Sequence, residues 1–451
     1  MSCRGFHAEA AAIRAAQPEW AQRPIGERLG VIARLRRHLA AECETLAALV
    51  SRPNMSVADI LVAEVMPLLA ACRFLEKQAA RVLQPRRPVG RRPPWLFGTS
   101  LLVRRVPFGV VLILGPGNYP LLLPAIQVVQ ALTAGNGVMV KPAPGWAAPM
   151  RTLAEALGRS GLPGGLLVVL PDTDAAGAQA LEADADKVVL TGHAETGRRV
   201  LAKLAGSLTP ATMELSGDDA MIVLPGAPVD IVARAIGYGL TLNGGQTCIA
   251  PRRIFAVGDV GPALVDRLDA VLRTLPPRTV GLDCAALAAA ALGSGHGRVL
   301  GDTAGLGGAM MSPLVLLAAD PGVGVGPVFG PVGMLVSVPD AETAVALANS
   351  SKYALGASVF GPARAVGAVA RGLRAGCVVV NDVIVPTADP RLPFGGAGDS
   401  GFGVTRGAEG LLEMTRAQAV ASRRWPMGVH YRGLPDSAGR WIGRALRAFY
   451  G

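Results

Sequence analysis

Residues 106–140 carry no charged side chain. A stretch this apolar either crosses a membrane as one long helix or is folded into a protein interior in shorter pieces. Gly115-Pro116-Gly117-Asn118-Tyr119-Pro120 breaks the run at its middle, and Pro124, Gln127, Gln130, Gly135 and Asn136 interrupt the remainder. Proline and glycine at this density stop a spanning helix. The segment therefore predicts strand, tight turn, buried helix, turn and strand, with no transmembrane segment.

The same grammar recurs downstream. Residues 110–114, 138–140, 166–170 and 188–190 are short apolar runs separated by helix-length segments. Runs without polar alternation imply strands covered on both faces, hence a parallel sheet between helical layers. A second alternation, at 221–224, 254–257, 314–317, 334–336 and 378–380, predicts a second domain of the same kind. The fold class is read as α/β, with two doubly wound, mainly parallel-sheet domains. Residues 1–90 and 106–216 are assigned to the first and 217–403 to the second. Residues 91–105 and 404–451 are assigned to a small bridging and oligomerisation element.

Ahead of these domains, residues 20–50 read as one amphipathic helix presenting Leu29, Ile32, Leu35, Leu39 and Leu46, and 57–80 as a second. A Pro/Arg-rich stretch at 85–94 leads into a strand at 101–103 that serves a hairpin or a subunit contact. The tail closes on a basic amphipathic helix at 440–449, for which packing on its own domain takes precedence over docking at a membrane surface. No internal repeat is evident.

Composition narrows the function classes. With 51% hydrophobic residues the chain buries a large core and is no disordered binding segment. The net charge of +11 is spread along the sequence without a basic run interleaved with aromatics, so no nucleic-acid partner is expected. The excess suits an anionic substrate or cofactor phosphates. Cys3, Cys43, Cys72, Cys248, Cys284 and Cys377 are scattered, with no CxxC pair and no histidine at ligand spacing, so no metal site is expected. Their dispersal fits a reduced, cytoplasmic compartment. Arg4, His7, Glu9 and Arg14 precede any sustained apolar run, which excludes a secretory core there.

Four places carry candidate chemistry. Asn243-Gly244-Gly245-Gln246-Thr247-Cys248 sets a thiol after a glycine turn whose amides are unobstructed. A lone cysteine is more often core filler, but a polar glycine-rich turn is a poor place for one. Glu214 ends an apolar element in Met213-Glu214-Leu215-Ser216-Gly217; taken alone it reads as an exposed strand-end carboxylate. Asn118 either caps the following helix or offers its amide to an oxyanion, two readings of equal weight on these residues. Finally, 187–197 is a strand running through Thr191-Gly192-His193 into a helix, whose N-terminus can hold a pyrophosphate, although the G-x-G-x-x-G spacing is absent.

Taken together and in this order, these motifs resemble the aldehyde dehydrogenase superfamily, from about residue 20 to residue 420, in its compact, class-3-like branch. The segment ending in Gly117-Asn118-Tyr119-Pro120 is similar to the one that carries the family's oxyanion asparagine, with Gly117 in place of the usual tryptophan. Val140-Lys141-Pro142 is similar to the strand whose lysine contacts the adenosine ribose. Lys141 follows Asn118 by 23 positions and Cys248 follows Glu214 by 34, as in the family. Later stretches, Val328-Phe329-Gly330-Pro331, 353–360 and Pro393-Phe394-Gly395-Gly396, match further signatures.

The resemblance implies Cys248 as nucleophile, Glu214 as general base and Asn118 as oxyanion donor. It implies Lys141, Thr191, Gly192, Gly197 and Phe329 as contacts of NAD or NADP. It also implies a small-molecule aldehyde substrate and a homo-oligomer, with a dimer favoured. Pro327 stands where the family places a glutamate that binds the nicotinamide ribose, and Pro144 where many members carry one that favours NAD. The stretch between Cys248 and Phe329 is shorter than usual and holds the alanine-rich run 285–291. Two other readings accompany oxidation to the acid: a coenzyme-A-acylating relative, and a non-catalytic scaffold.

Overall fold

In the computed structural model the described residues are 5–53, 55–93, 96, 98–280, 297–306, 308–318, 328–423, 433–435 and 437–450. Pro327, the alanine-rich run, Cys3 and Cys284 lie outside them. The chain forms two compact units, Met1–Leu83 with Val106–Arg416, and Gln84–Arg105 with Ala417–Gly451.

The larger unit is built on two sheets. The first begins with Val110–Leu114, adds Gly137–Lys141 and Leu167–Val169 in parallel on one side, then adds Lys187–Thr191 and Ala211–Glu214 in parallel on the other. A short strand, Gly401–Phe402, closes the outer edge in the antiparallel sense against Ala211–Glu214. Strand order thus reverses between Val110–Leu114 and Lys187–Thr191, and an open α/β sheet presents its ligand crevice at the carboxyl ends beside such a switch.

The second sheet runs Gly297–Gly301, Leu314–Ala318, Val332–Val338, Pro251–Val257, Asp219–Val223, Gly356–Phe360, Cys377–Val380. It is parallel apart from the first pair. The inner strands of both sheets are buried on both faces, as the unalternating apolar runs required, while the edge strands Leu167–Val169 and Cys377–Val380 are only partly covered. Val111 and Ile113 enter one core while Val110, Leu112 and Leu114 enter another. Met221 and Val223 are likewise separated from Ala220 and Ile222.

The charge-free segment folds as its punctuation predicts: strand, turn, the helix Leu122–Ala134 with all its residues buried, and strand. Among the described residues no helix is long and apolar enough to cross a membrane. Gly135 ends the buried helix at φ 97°, a left-handed cap that a Cβ would disfavour.

The helical layer differs from the sequence expectation. The helix expected over 20–50 is two, Ile25–Ala41 and Cys43–Leu49, preceded by His7–Gln22. Arg23 and Pro24 leave the helical region before the first of them, and Glu42, at φ −108°, interrupts the run between the two. The segment expected at 57–80 starts at a Ser56–Asp59 capping box, widens into a π-helical turn over Leu61–Val65 and continues as Met66–Leu83. That wider turn carries Glu64, which is 3% exposed.

In the smaller unit Thr99–Pro107 pairs with Thr415–Arg423, and an isolated bridge joins Arg86 to Val103. The tail helix spans Ala438–Tyr450. Contrary to the expected packing on its own domain, none of its residues is buried.

Candidate active site

A cavity of about 1140 Å³ opens at the carboxyl ends of the first sheet. Its wall includes Asn118, Lys141, Thr191, Gly192, Glu214, Cys248 and Phe329, seven of the eight positions singled out in the sequence. The eighth, Gly197, is not in the wall. A Cβ there would stand 2.8 Å from Leu215 Cδ1, so its lack of a side chain lets the helix Ala194–Leu204 pack close to the chain after Glu214.

Cys248 is placed by a left-handed turn. Asn243, Gly244 and Gly245 take φ of 53°, 64° and 75°, and a Cβ on Gly245 would lie 2.4 Å from the carbonyl carbon of Gly330. The buried Arg252 guanidinium donates to the carbonyls of Gly245, Gly330 and Val332, tying this turn to the segment that carries Phe329. The half-buried thiol is pushed above its ordinary range first by burial, then by the negative charges of Glu214 and Asp219, with Arg406 opposing.

Glu214 is not the exposed strand-end carboxylate suggested by its local sequence, since it is 2% exposed. Register places it opposite Thr191 on one side and Gly401 on the other. A Cβ at Gly401 would sit 2.0 Å from the Met213 carbonyl oxygen, so glycine is required for that close pairing. Thr405 donates to Glu214 Oε2 at 2.8 Å, whereas Oε1 has no hydrogen-bond partner among the described residues. Burial raises the carboxyl pKa, opposed by Arg406 and the Thr405 bond. A buried carboxylate that lines a cavity and keeps one oxygen without a hydrogen-bond partner among the described residues is suited to accept a proton.

The two readings of Asn118 separate here. The N-terminus of the buried helix is served instead by Glu64, whose Oε2 accepts from the amides of Leu121 and Leu122 at 2.9 and 3.0 Å. Asn118 Nδ2 donates to the Gln246 carbonyl at 2.9 Å, and Oδ1 accepts from Tyr119 N at 3.1 Å. Asn118 lines the cavity, and these bonds use one of its two amide N–H groups.

A supporting cluster was invisible to sequence reasoning. The half-buried Arg52 guanidinium donates to Asn243 Oδ1 and, at 3.3 Å, to the Gly117 carbonyl. It lies 3.5 Å from Glu64 Oε1 and stacks over Trp146 at 5.0 Å. Asn243 Nδ2 in turn donates to the Asn118 carbonyl at 2.7 Å. Tyr119 and Thr247 join hydroxyls at 2.8 Å across the same junction. The turn holding the thiol and the turn holding the amide are thus braced by one network. No local signal marks Arg52, which follows a helix end like many surface arginines.

The other half of the cavity suits a dinucleotide. Gly115, Gly117, Gly177 and Gly192 line it without side chains, so a ligand can approach the backbone. The helix Ala194–Leu204 points its N-terminus at it, and first-turn amides have no intrahelical acceptor. Lys141 is 7% exposed, and burial lowers its pKa against the pull of Asp174 and Asp172. Phe329 packs edge-on against His193 at 5.1 Å between ring centroids, and His193 meets Ser216 Oγ at 3.0 Å. Among the described residues no cluster of His, Cys, Asp and Glu is arranged to hold a metal ion.

A half-buried thiol, a buried carboxylate, a side-chain amide and a glycine-lined cleft suited to a dinucleotide, on doubly wound sheets, fit one class of protein: a dinucleotide-dependent oxidoreductase. Comparison with known proteins narrows this. A sequence profile described as the aldehyde dehydrogenase family matches residues 5–420, and the chain belongs to that family.

A Mycobacterium ulcerans protein provisionally named succinate-semialdehyde dehydrogenase [NADP(+)] 2 is 32% identical over 442 residues, covering 92% of this chain and 85% of that protein. A Methylomonas protein named 4,4'-diapolycopene aldehyde oxidase is 28% identical over 444 residues, covering 93% of this chain and 82% of its own length. The crystal structure of Mycobacterium tuberculosis aldehyde dehydrogenase complexed with NAD+ superposes with a TM-score of 0.83 at 27% identity, covering 93% of this chain and 89% of that one. The chain is an NAD(P)-dependent aldehyde dehydrogenase, and its cofactor is NAD or NADP.

Proposed function

We propose that Cys248 is the nucleophile, Asn118 the oxyanion donor and Glu214 the general base of an aldehyde oxidation that ends in a free carboxylic acid. The observation that carries this reading is their convergence on one cavity with a hydrogen-bond donor and a carboxylate oxygen left free. The Cys248 thiol releases its proton to solvent, the thiolate sulfur adds to the aldehyde carbon, and the electron pair displaced onto oxygen is met by Asn118 Nδ2–H and the Cys248 backbone N–H. Tethering fixes the carbon that must lose hydride against the cofactor face of the cavity. Bound NAD(P) supplies the hydride acceptor, and Lys141, Thr191, Gly192, the N-terminal turn of Ala194–Leu204 and Phe329 would hold it.

Release of the acyl group needs an activated nucleophile. Glu214 Oε1 accepts a proton from water as its oxygen attacks the acyl carbon, and the carbon–sulfur bond breaks to return the thiolate. Retention of this buried base favours water over coenzyme A as acceptor. The test is intact-protein mass after one turnover. Glu214→Gln mixed with aldehyde and NAD or NADP accumulates an acyl adduct that Cys248→Ala cannot form. Full turnover by Cys248→Ala, or acyl-coenzyme A as sole product, overturns the assignment.

We also assign the first sheet with its helices, residues 1–90 and 106–216, to dinucleotide binding and 217–403 to the catalytic domain, since each sheet has its own pair of cores. A cytoplasmic homodimer completes the proposal. Supporting it are Cys43, Cys72, Cys248 and Cys377, all free thiols, and the two-stranded ribbon of the smaller unit, a ready edge for pairing with a second copy.

A further inference from the structure

The helix Ala438–Tyr450 takes no part in aldehyde oxidation as proposed. At roughly 100° per residue, Ile442, Leu446 and Phe449 lie along one side with Trp441 and Tyr450 at its margins. Arg440, Arg444 and Arg447 cluster on the opposite side, and the helix holds no acidic residue. Trp441 is 71%, Phe449 67%, Leu446 52% and Ile442 41% exposed. Arg444 stacks over Trp441 at 5.4 Å, so charge and apolar surface meet at the margin.

An apolar face of this size in water needs a cover, and charge selects it. Residues 415–451 hold Arg416, Arg423, Arg424, Arg432, Arg440, Arg444 and Arg447 against Asp436 as their sole acidic residue. The same helix of a second copy brings three more arginines and no carboxylate to pair with them, so helix-to-helix cover sets like charges together, whatever other surface joins two copies. An anionic bilayer satisfies both faces. Apolar side chains enter the acyl boundary, arginines reach back to phosphates, and aromatic rings sit at the headgroup level.

We propose that the helix Ala438–Tyr450 docks this enzyme on anionic phospholipid bilayers, lying in the plane of the interface with Ile442, Leu446 and Phe449 turned into the lipid. The arginines select anionic lipid, and the apolar face converts attraction into insertion.

The experiment uses the full-length protein with vesicles of phosphatidylcholine containing about a quarter phosphatidylglycerol, beside vesicles of phosphatidylcholine alone. Co-sedimentation with the anionic vesicles and little with the neutral ones is expected, with a blue shift of tryptophan emission that Trp441→Phe diminishes. Replacing Arg440, Arg444 and Arg447 by Gln weakens binding on the order of a hundredfold. Replacing Ile442, Leu446 and Phe449 by Ser abolishes insertion although every arginine remains. Both variants keep dehydrogenase activity on a water-soluble aldehyde, which certifies the fold because no core residue is changed. The proposal is overturned if native protein ignores anionic vesicles, or if the Ser variant binds them equally well. It is equally overturned if sedimentation velocity shows that variant losing a self-associated state, which would make the cover a second copy.

Discussion

Replacing Arg52 by methionine removes the cation that braces the thiol turn and the amide turn while leaving the bulk of its stem. The side chain is 14% exposed and its partner Glu64 only 4%, so the change strands a carboxylate in the interior. Breaking a buried ion pair by losing one member costs about 3–5 kcal/mol. Glu64 keeps two backbone amides on Oε2, and its 3.5 Å separation from Arg52 is no direct bond, which places the cost near the lower end, about 3 kcal/mol. Adding Glu64→Gln removes the stranded charge while an amide oxygen still accepts from Leu121 and Leu122. The double variant is therefore more stable than Arg52→Met, recovering about 1–2 kcal/mol.

The pH dependence has a definite sign. Burial already holds the Glu64 pKa above its ordinary value, against its backbone bonds and Arg52, and removing Arg52 raises it further. A carboxyl whose folded pKa exceeds its unfolded one binds more protons when folded, so stability is lost as pH rises through that interval. The Arg52→Met penalty should shrink from pH 8 towards pH 5. Urea unfolding at several pH values, followed by tryptophan emission, measures it. A penalty below about 1 kcal/mol, a double variant less stable than the single, or a penalty that grows in acid would refute the reasoning. Loss of the Asn243 bond also displaces Asn118, so kcat should fall about tenfold or more.

Because burial, Glu214 and Asp219 hold the Cys248 thiol above its ordinary range, kcat/KM should rise with pH across the neutral region, and Arg406→Gln should move that limb to higher pH; an unmoved profile would remove Arg406 from the electrostatics of the thiol. Asn118→Ala should lower kcat about 10²–10³-fold with dinucleotide affinity intact, measured by steady-state rates and cofactor titration. Gly245→Ala forces a Cβ to within 2.4 Å of the Gly330 carbonyl carbon at a left-handed position, and should cut kcat/KM at least about tenfold. Lys141→Ala should raise the KM for NAD or NADP with little change in kcat, the signature of lost uniform binding.

Much of the molecule was legible in the amino-acid order because the signals are local. Apolar runs without alternation at 110–114 and 221–224 imply strands covered on both sides, and the Gly-Pro-Gly-Asn break argues against a membrane helix at 106–140. Glycine before a thiol, and a strand entering a helix at Thr191-Gly192, announce backbone made available to a ligand. The turn before Cys248 was legible in this way, whereas Glu214, Asn118 and Lys141 were named for their roles only through the resemblance of the motifs, in their order and spacing, to the aldehyde dehydrogenase superfamily.

Tertiary structure decided everything that depends on partners distant in the chain. Glu64 serves the amides of Leu121 and Leu122, Arg52 grips Asn243, and Thr405 fixes one oxygen of Glu214 so that the other stays free. It also decided that Gly197 serves packing beside Leu215, and that the tail helix stands with its apolar side uncovered. The physical reason is that periodicity and turn chemistry are properties of neighbouring residues, whereas desolvation and ion pairing depend on what folding brings alongside. A carboxylate at a strand end reads the same in sequence whether water or protein surrounds it, and only the surroundings raise its pKa.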